Sequence, residues 1–316
     1  FSGPIAGAML ADQGADVIKV EAFDGDLMRR GFPQSGGMAS AFTSMNRNKR
    51  GLAIDLQQDA GKAIARKLIL SADIVLENFR PGVMDRLGLG YGAFRETHPK
   101  LVYASVNGVG STGPYANRRV YDAVIQAISG FTALRVDGKP EMVNSLVCDK
   151  ITSLTAAEAG VAAVFQAERS GQGEGGESSM LHAAPSFLWP DTMNNFTFLE
   201  EGVEAVAPLD HSVFLHETKD GWIASMPVQE AEFFGIFRSL EQSELVDDPR
   251  FGSAAARLEH RDELRVLMDK AYPKFTTAQL CERFESEAVP HSRLHPRAPG
   301  SSHPHDHAPR APPTPP

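Results

Sequence analysis

Small, apolar and polar residues alternate from the first positions of the chain. A Gly3-Pro4 turn leads into an alanine-rich run at 6–13, Gly14 interrupts it, and 15–21 supplies a short apolar stretch. The order predicts turn, helix and buried strand. Residues 52–56, 74–77 and 101–106 read as further strands, and 60–70 as an amphipathic helix. Strands separated by helices of about ten residues predict an α/β fold with a Rossmann-like, mostly parallel sheet, whose ligands gather beyond the carboxyl ends of the strands. After a polar turn at 136–140, a helical pattern over about 150–169 is closed by Ser170-Gly171. Its apolar positions Ile151, Leu154, Val161, Val164 and Phe165 are expected to face the core.

Beyond about Pro185 the sequence becomes aromatic-rich and less periodic, with a strand expected at 221–226 and helices near 229–240 and 255–270. The expected division is a large α/β domain at 1–199, a second, smaller α+β domain at 200–290 and a tail at 291–316. The tail holds eight prolines, five histidines and Leu294 as its one large aliphatic or aromatic side chain, which predicts disorder. Phe1, entering a Gly-Pro turn at once, reads as a start inside the large domain, and the sequence after Val289-Pro290 reads like out-of-frame translation.

Composition narrows the function. The 316 residues carry 40 Asp and Glu against 31 Lys and Arg, a net charge of −9. That sign disfavours nucleic acid or anionic lipid as a partner. No stretch approaches the roughly eighteen apolar residues of a membrane span, and no charged-then-apolar leader opens the chain. Cys148 and Cys281 fit neither a disulfide framework nor a zinc site. A soluble, cytoplasmic protein without a membrane partner is expected.

Basic side chains cluster at Arg29-Arg30, at Arg47 with Lys49-Arg50, at Arg80 with Arg86, and at Arg118-Arg119. Guanidinium forks and ammonium groups suit phosphate oxygens. Singly, each cluster reads as a solvated loop; their recurrence in one half of an acidic chain points to a phosphate-bearing ligand. Asp149 begins the long helix and reads as its N-cap, a position equally suited to a nucleophilic carboxylate. Cys148 reads as a buried structural thiol. His98, His182, His211 and His216 show no zincin spacing, and no metal requirement is expected. The glycine-rich segment at 108–114 lacks dinucleotide-loop spacing, so no NAD or FAD site is expected there, and it reads as a flexible loop beside a ligand. Phe187, Trp189, Met193 and Phe196 read either as core or as an apolar acyl pocket.

Several segments stand in a fixed order within the first 88 residues: Gly3-Pro4, the run at 10–21, Gly25-Asp26, Asn46-Arg47-Asn48-Lys49-Arg50, Glu77-Asn78-Phe79-Arg80-Pro81-Gly82 and Arg86-Leu87-Gly88. Together they resemble the class III CoA-transferases, the family of formyl-CoA transferase and carnitine CoA-transferase that also contains α-methylacyl-CoA racemase. The match continues through Gly113-Pro114-Tyr115, Tyr121-Asp122, Gln126-Ala127, Ser129-Gly130 and Asp149, then fades after about residue 190.

The resemblance implies that Asp149 is the nucleophile and that CoA is held by Lys49, Asn78, Phe79, Arg86 and Arg119. Asn78 and Phe79 would meet the adenosine portion, and the basic side chains its phosphates. It implies transfer of CoA from an acyl-CoA to a carboxylic acid through an aspartyl anhydride and an aspartyl-CoA thioester, in an interlocked, ring-like homodimer. The alternatives are an acyl-CoA racemase or epimerase and a CoA-binding protein without turnover. The racemase branch has a histidine before the aspartate of the Tyr121-Asp122 pair, and Tyr121 in its place favours transfer. The formyl-CoA transferase branch carries a run of glycines in the second domain; its absence here argues against formyl and oxalate as substrates.

Overall fold

A proline is tolerated in the first turn of a helix, where the N–H it lacks would find no intrahelical partner. The Gly3-Pro4 pair, expected as a turn, lies inside helix α1 (Ser2–Asp12) for that reason. The computed structural model describes residues 1–116, 118–133, 139–205 and 214–295. The chain forms two compact units, Phe1–Leu209 and Asp210–Pro316.

In the first unit, β1 (Ile18–Glu21) is followed by a hairpin of β2 (Gln34–Ser35) and β3 (Met38–Ala39), helix α2 (Ser40–Asn46) and β4 (Arg50–Ala53). Next come α3 (Asp59–Leu70), β5 (Ile74–Glu77), α4 (Val83–Arg86), β6 (Val102–Asn107) and α5 (Asp122–Ser129). The long helix α6 (Val147–Ser170), β7 (Gly175–Ser179) and α7 (Met180–Thr192) complete it. The parallel strands form two sheets where one was expected: β1 pairs with β4, and β5, β6 and β7 lie side by side in that order. Of the polar turn expected at 136–140, residues 136–138 lie outside the described residues.

Strand β7 carries no alternating apolar pattern, and close packing explains Gly175, though not Gly176. A side chain added at Gly175 would stand 2.7 Å from the Tyr91 ring. Helix α6 corrects an expectation in part. Ile151 is buried and Val164 packs against the core as expected, but most of the buried face is made of small residues, with Ala156 and Ala157 beside Val106 and Ala6, and Ala163 and Ala167 beside Val102. Leu154, Val161 and Phe165, expected in the core, are exposed. Small side chains let the helix backbone approach both α1 and the sheet, which larger residues would hold apart.

The second unit is an antiparallel sheet, in the order β10 (His291–Arg293), β9 (Trp222–Ser225) and β8 (Leu215–Glu217). It packs with α8 (Glu230–Ser239), α9 (Ala254–Glu259), α10 (Arg261–Ala271) and α11 (Thr277–Ser286) around Phe237, Phe251, Tyr272 and Phe284. The expected helix at 255–270 is therefore two, broken at His260. Strand β10 corrects the expectation of disorder from His291 onward: backbone pairing to β9 needs no apolar side chains, and the Leu294 N–H donates to the Trp222 carbonyl (3.1 Å). The rest of the tail, 296–316, lies outside the described residues.

In this unit His216 stacks on Tyr272, with ring centroids 3.8 Å apart. Burial lowers its imidazole from 6.5 to about 4, the Asp269 carboxylate acting in the opposite sense. Above pH 6.5 the imidazole is neutral in both folded and unfolded chains. As the pH falls from 6.5 toward 4, only the unfolded chain takes up the proton, so stability is lost across that window. Urea unfolding is expected to show a loss of about 2 kcal/mol between pH 7.5 and pH 5 from this group, largely removed by His216→Phe. Equal slopes in the two proteins would contradict this assignment.

Candidate active site

The first turn of a helix leaves backbone N–H groups without intrahelical partners. At α6 the residue preceding the helix is Leu146, which offers no side-chain cap, so Asp149 is the third helical residue and not the N-cap expected from sequence. The cap comes from α5: Asp122 Oδ1 accepts the Asp149 N–H (3.0 Å). Asp122 is 2% exposed, and its Oδ2 accepts from Gln126 Nε2 (2.6 Å), one helical turn on. Gln126 in turn bonds the segment entering α6, donating to the carbonyls of Val143 (3.2 Å) and Ser145 (3.0 Å) and accepting the Val143 N–H (2.9 Å). This network fixes the backbone that presents Asp149.

The Asp149 side chain meets the start of α1. The Ser2 hydroxyl donates to Asp149 Oδ1. Ser153, one turn along α6, donates to the carbonyls of both Ser2 (2.8 Å) and Asp149 (2.7 Å), clamping the two helices together. Asp149 is 9% exposed and Ser2 3%. The positive ends of two helix dipoles thus converge on one carboxylate, a setting that favours negative charge at that point. The neighbouring Cys148 thiol is pushed up to about 12 by burial, with the Asp122 and Asp149 charges adding to the effect, and is inert as a nucleophile.

Two further residues anticipated from sequence meet the same turn. Asn78 Oδ1 accepts the Gly3 N–H (3.3 Å), and its Nδ2 donates to the Val106 carbonyl (2.6 Å). Only glycine fits at position 3, because an added Cβ would lie 2.9 Å from the Asn78 Cβ. Lys49 Nζ donates to the carbonyls of Pro4 (2.6 Å) and Met45 (2.8 Å) and to Asn46 Oδ1 (2.9 Å). Burial, followed by repulsion from Lys19, lowers its ammonium to about 8. Lys49, Asn78 and Asp149 therefore share the Ser2-Gly3-Pro4 turn. Phe79, Arg86 and Arg119 are exposed and make no hydrogen bond to that turn.

The four basic clusters divide by their partners. Arg29 forms a fork with Glu21 (2.8 Å), Arg30 reaches Asp24 (3.7 Å), and Arg47 and Arg50 pair with Asp12 and Asp16. Among the described residues Arg80, Arg86, Arg118 and Arg119 have no carboxylate partner, and Arg118 lies over the Tyr115 ring (4.0 Å). A cleft of about 410 Å³ opens at the carboxyl ends of β1 and β4, lined by Glu21 to Gly25, Arg29 and Gly51 to Ala53. A second, of about 720 Å³, lies between the β2–β3 hairpin and α2. Asp149 lines neither.

Other expectations are corrected. The segment at 108–114 is pinned at its base, with the Gly110 N–H on Asn107 Oδ1 (2.6 Å) and the Ser111 N–H on Glu177 (2.9 Å). Phe187, Trp189 and Phe196 are exposed, and Met193 packs against the core near Leu188, so the four build no common pocket. Sequence reading missed the roles of Ser2, Asp122 and Gln126. The available signals were a serine opening a helix and an Asp/Gln pair at i and i+4.

The sequence profile of CoA-transferase family III matches residues 1–310. The chain belongs to this family of enzymes. Succinate–glutarate CoA-transferase of Agrobacterium fabrum is 33% identical over 305 residues, covering 92% of this chain and 76% of that one. Succinyl-CoA–D-citramalate CoA-transferase of Chloroflexus aurantiacus is 31% identical, covering 96% and 78%. Among solved structures, a CAIB/BAIF family protein from Brucella suis superposes with a TM-score of 0.79 at 28% identity, covering 93% of this chain and 80% of that one. The Mycobacterium tuberculosis protein Rv3272 gives 0.82 at 27%, covering 94% and 80%. Family III enzymes act on CoA thioesters, and the mixed α/β fold with mostly parallel sheets is theirs. Among the described residues no helix is long and apolar enough to cross a membrane.

Proposed function

We propose that this family III CoA-transferase moves CoA from an acyl-CoA donor to a carboxylic acid acceptor, with Asp149 as the covalent carrier. Asp149 attacks the acyl-CoA thioester to form an aspartyl acyl anhydride and CoA thiolate. The thiolate attacks the aspartyl carbonyl, giving an aspartyl-CoA thioester and releasing the first acid. The acceptor carboxylate reverses the sequence and leaves as the new acyl-CoA. The observation that carries this reading is one carboxylate at the meeting point of two helix N-termini, where developing negative charge is stabilised.

CoA would be held by Phe79 against its adenosine portion and by Arg86 and Arg119 at its phosphates, the two arginines having no carboxylate to release first. Asn78 and Lys49 serve the site by holding the first turn of α1, with Lys49 adding a positive charge below about pH 8. The relatives are named for succinate, glutarate and D-citramalate, so short dicarboxylic acids are the proposed substrates. The exposed stripe of Leu154, Val161 and Phe165 on α6 supports a homodimer, in which a second copy would cover it. The free thiols of Cys148 and Cys281 agree with a cytoplasmic setting.

Incubation of succinyl-CoA with glutarate, followed by chromatography of the thioesters, is expected to yield glutaryl-CoA and succinate in equal amounts. A folded preparation that exchanges no pair across a panel of short acyl-CoAs and dicarboxylates, yet incorporates solvent deuterium at the α-carbon of an acyl-CoA, would select racemisation instead.

A further inference from the structure

The two oxygens of Asp149 are not equivalent. Oδ1 accepts the Ser2 hydroxyl, while Oδ2 accepts no hydrogen bond among the described residues. Ser2 is itself fixed: Ser153 holds its carbonyl (2.8 Å), and Asn78 holds the N–H of the next residue, Gly3 (3.3 Å). A hydroxyl facing a carboxylate must donate. Its direction is therefore set before any substrate arrives.

We propose that Ser2 is a catalytic hydroxyl, the donor that stabilises the oxyanion formed on Asp149 itself. This rests on the covalent reading above and adds to it which atom reacts and what stabilises the charge. With Oδ1 held by Ser2, the free Oδ2 attacks the acyl carbonyl, the C–S bond breaks, and CoA leaves as thiolate. Oδ1 is then the aspartyl carbonyl oxygen of the anhydride. When the thiolate adds to Asp149 Cγ, the carbonyl electron pair moves onto Oδ1, where the Ser2 O–H already points. Collapse re-forms the carbonyl, breaks the bond from Cγ to Oδ2, and releases the first acid carrying that oxygen. Addition of the acceptor carboxylate to the aspartyl-CoA thioester places charge on Oδ1 again, and thiolate departs. Both steps at Cγ thus build their oxyanion on one oxygen, and no proton need be transferred to or from Ser2. A preorganised donor at such a point contributes about a hundredfold in rate.

The test compares wild type, Ser2→Ala and Ser2→Cys in the full chain. Mixed with succinyl-CoA and quenched in acid at increasing times, each protein is assayed by mass spectrometry for the Asp149–CoA thioester, and CoA affinity is measured by calorimetry. Ser2→Ala is expected to form the thioester about a hundredfold more slowly with CoA affinity within about twofold of wild type. Ser2→Cys, nearly isosteric but a weaker donor, is expected to fall between the two. Thioester formation at the wild-type rate in Ser2→Ala overturns the role of Ser2 and leaves Asp149 as carrier. If Ser2→Ala does not fold, Ser2→Cys decides: a wild-type rate overturns the proposal and an intermediate rate supports it. If wild type itself forms no thioester, the covalent reading fails, an outcome separate from failure of the serine.

Discussion

Replacing Asp149 by asparagine is expected to lower kcat at least about a thousandfold while CoA continues to bind. Asparagine keeps the size of the side chain and an oxygen that can accept the Ser2 hydroxyl. The backbone N–H that Asp122 caps is untouched. What is lost is the nucleophilic oxygen. Steady-state exchange with succinyl-CoA and glutarate, alongside calorimetric titration with CoA, separates the two effects. A variant whose kcat stays within about tenfold of wild type would exclude Asp149 as carrier.

The second large effect is expected at Asp122, which the chemistry never touches. This carboxylate is buried, has no cationic partner among the described residues, and accepts from the Asp149 N–H and the Gln126 amide. Asp122→Ala leaves the Asp149 N–H without its acceptor in a buried setting and removes one of the acceptors that orient the Gln126 amide, loosening the 143–145 segment that Gln126 holds. A loss of about 2–4 kcal/mol is expected, with a fall in kcat larger than any change in KM, because the first turn of α6 no longer holds the nucleophile. Asp122→Asn retains an oxygen for the Asp149 N–H and is expected to recover part of both. Thermal unfolding and exchange kinetics of the two variants check this. An alanine variant as stable and as active as wild type would show that the network does not position Asp149.

What the sequence made legible follows the range of the interactions. Helix α3 and strand β5 are local events, written in apolar periodicity, and the structure places them close to where they are expected. Strand β7 is not, because Gly175 is required by the approach of the Tyr91 ring and the strand is held by its pairing to β6, neither of which a local pattern encodes. Helix α6 misleads for a related reason. Ile151 and Val164 pack as the pattern suggests, but Leu154, Val161 and Phe165 are exposed and the alanine face is the one that meets α1 and β6.

The site divides in the same way. Asp149 is visible because a helix begins beside it, but its partner Ser2 lies 147 positions away and Asp122 lies 27 away. Asn78 and Lys49 carry the right chemistry for a nucleotide, and their hydrogen bonds go to the chain's own backbone and to Asn46. Likewise Arg29 and Arg47 resemble phosphate ligands until the carboxylates of Glu21 and Asp12 are seen against them. Residue type indicates which groups could bind an anion; tertiary contacts decide which remain available to do so.

In the proposed reaction a covalent bond between Asp149 and the substrate's acyl or CoA portion lies on the path. Acid-quenched peptide mapping of the active protein, taken during steady-state turnover with succinyl-CoA, tests it most directly. The expected result is CoA attached through a thioester to the peptide bearing Asp149, discharged when glutarate is added. Full exchange activity with that peptide unmodified, or with the adduct on another side chain, would contradict it.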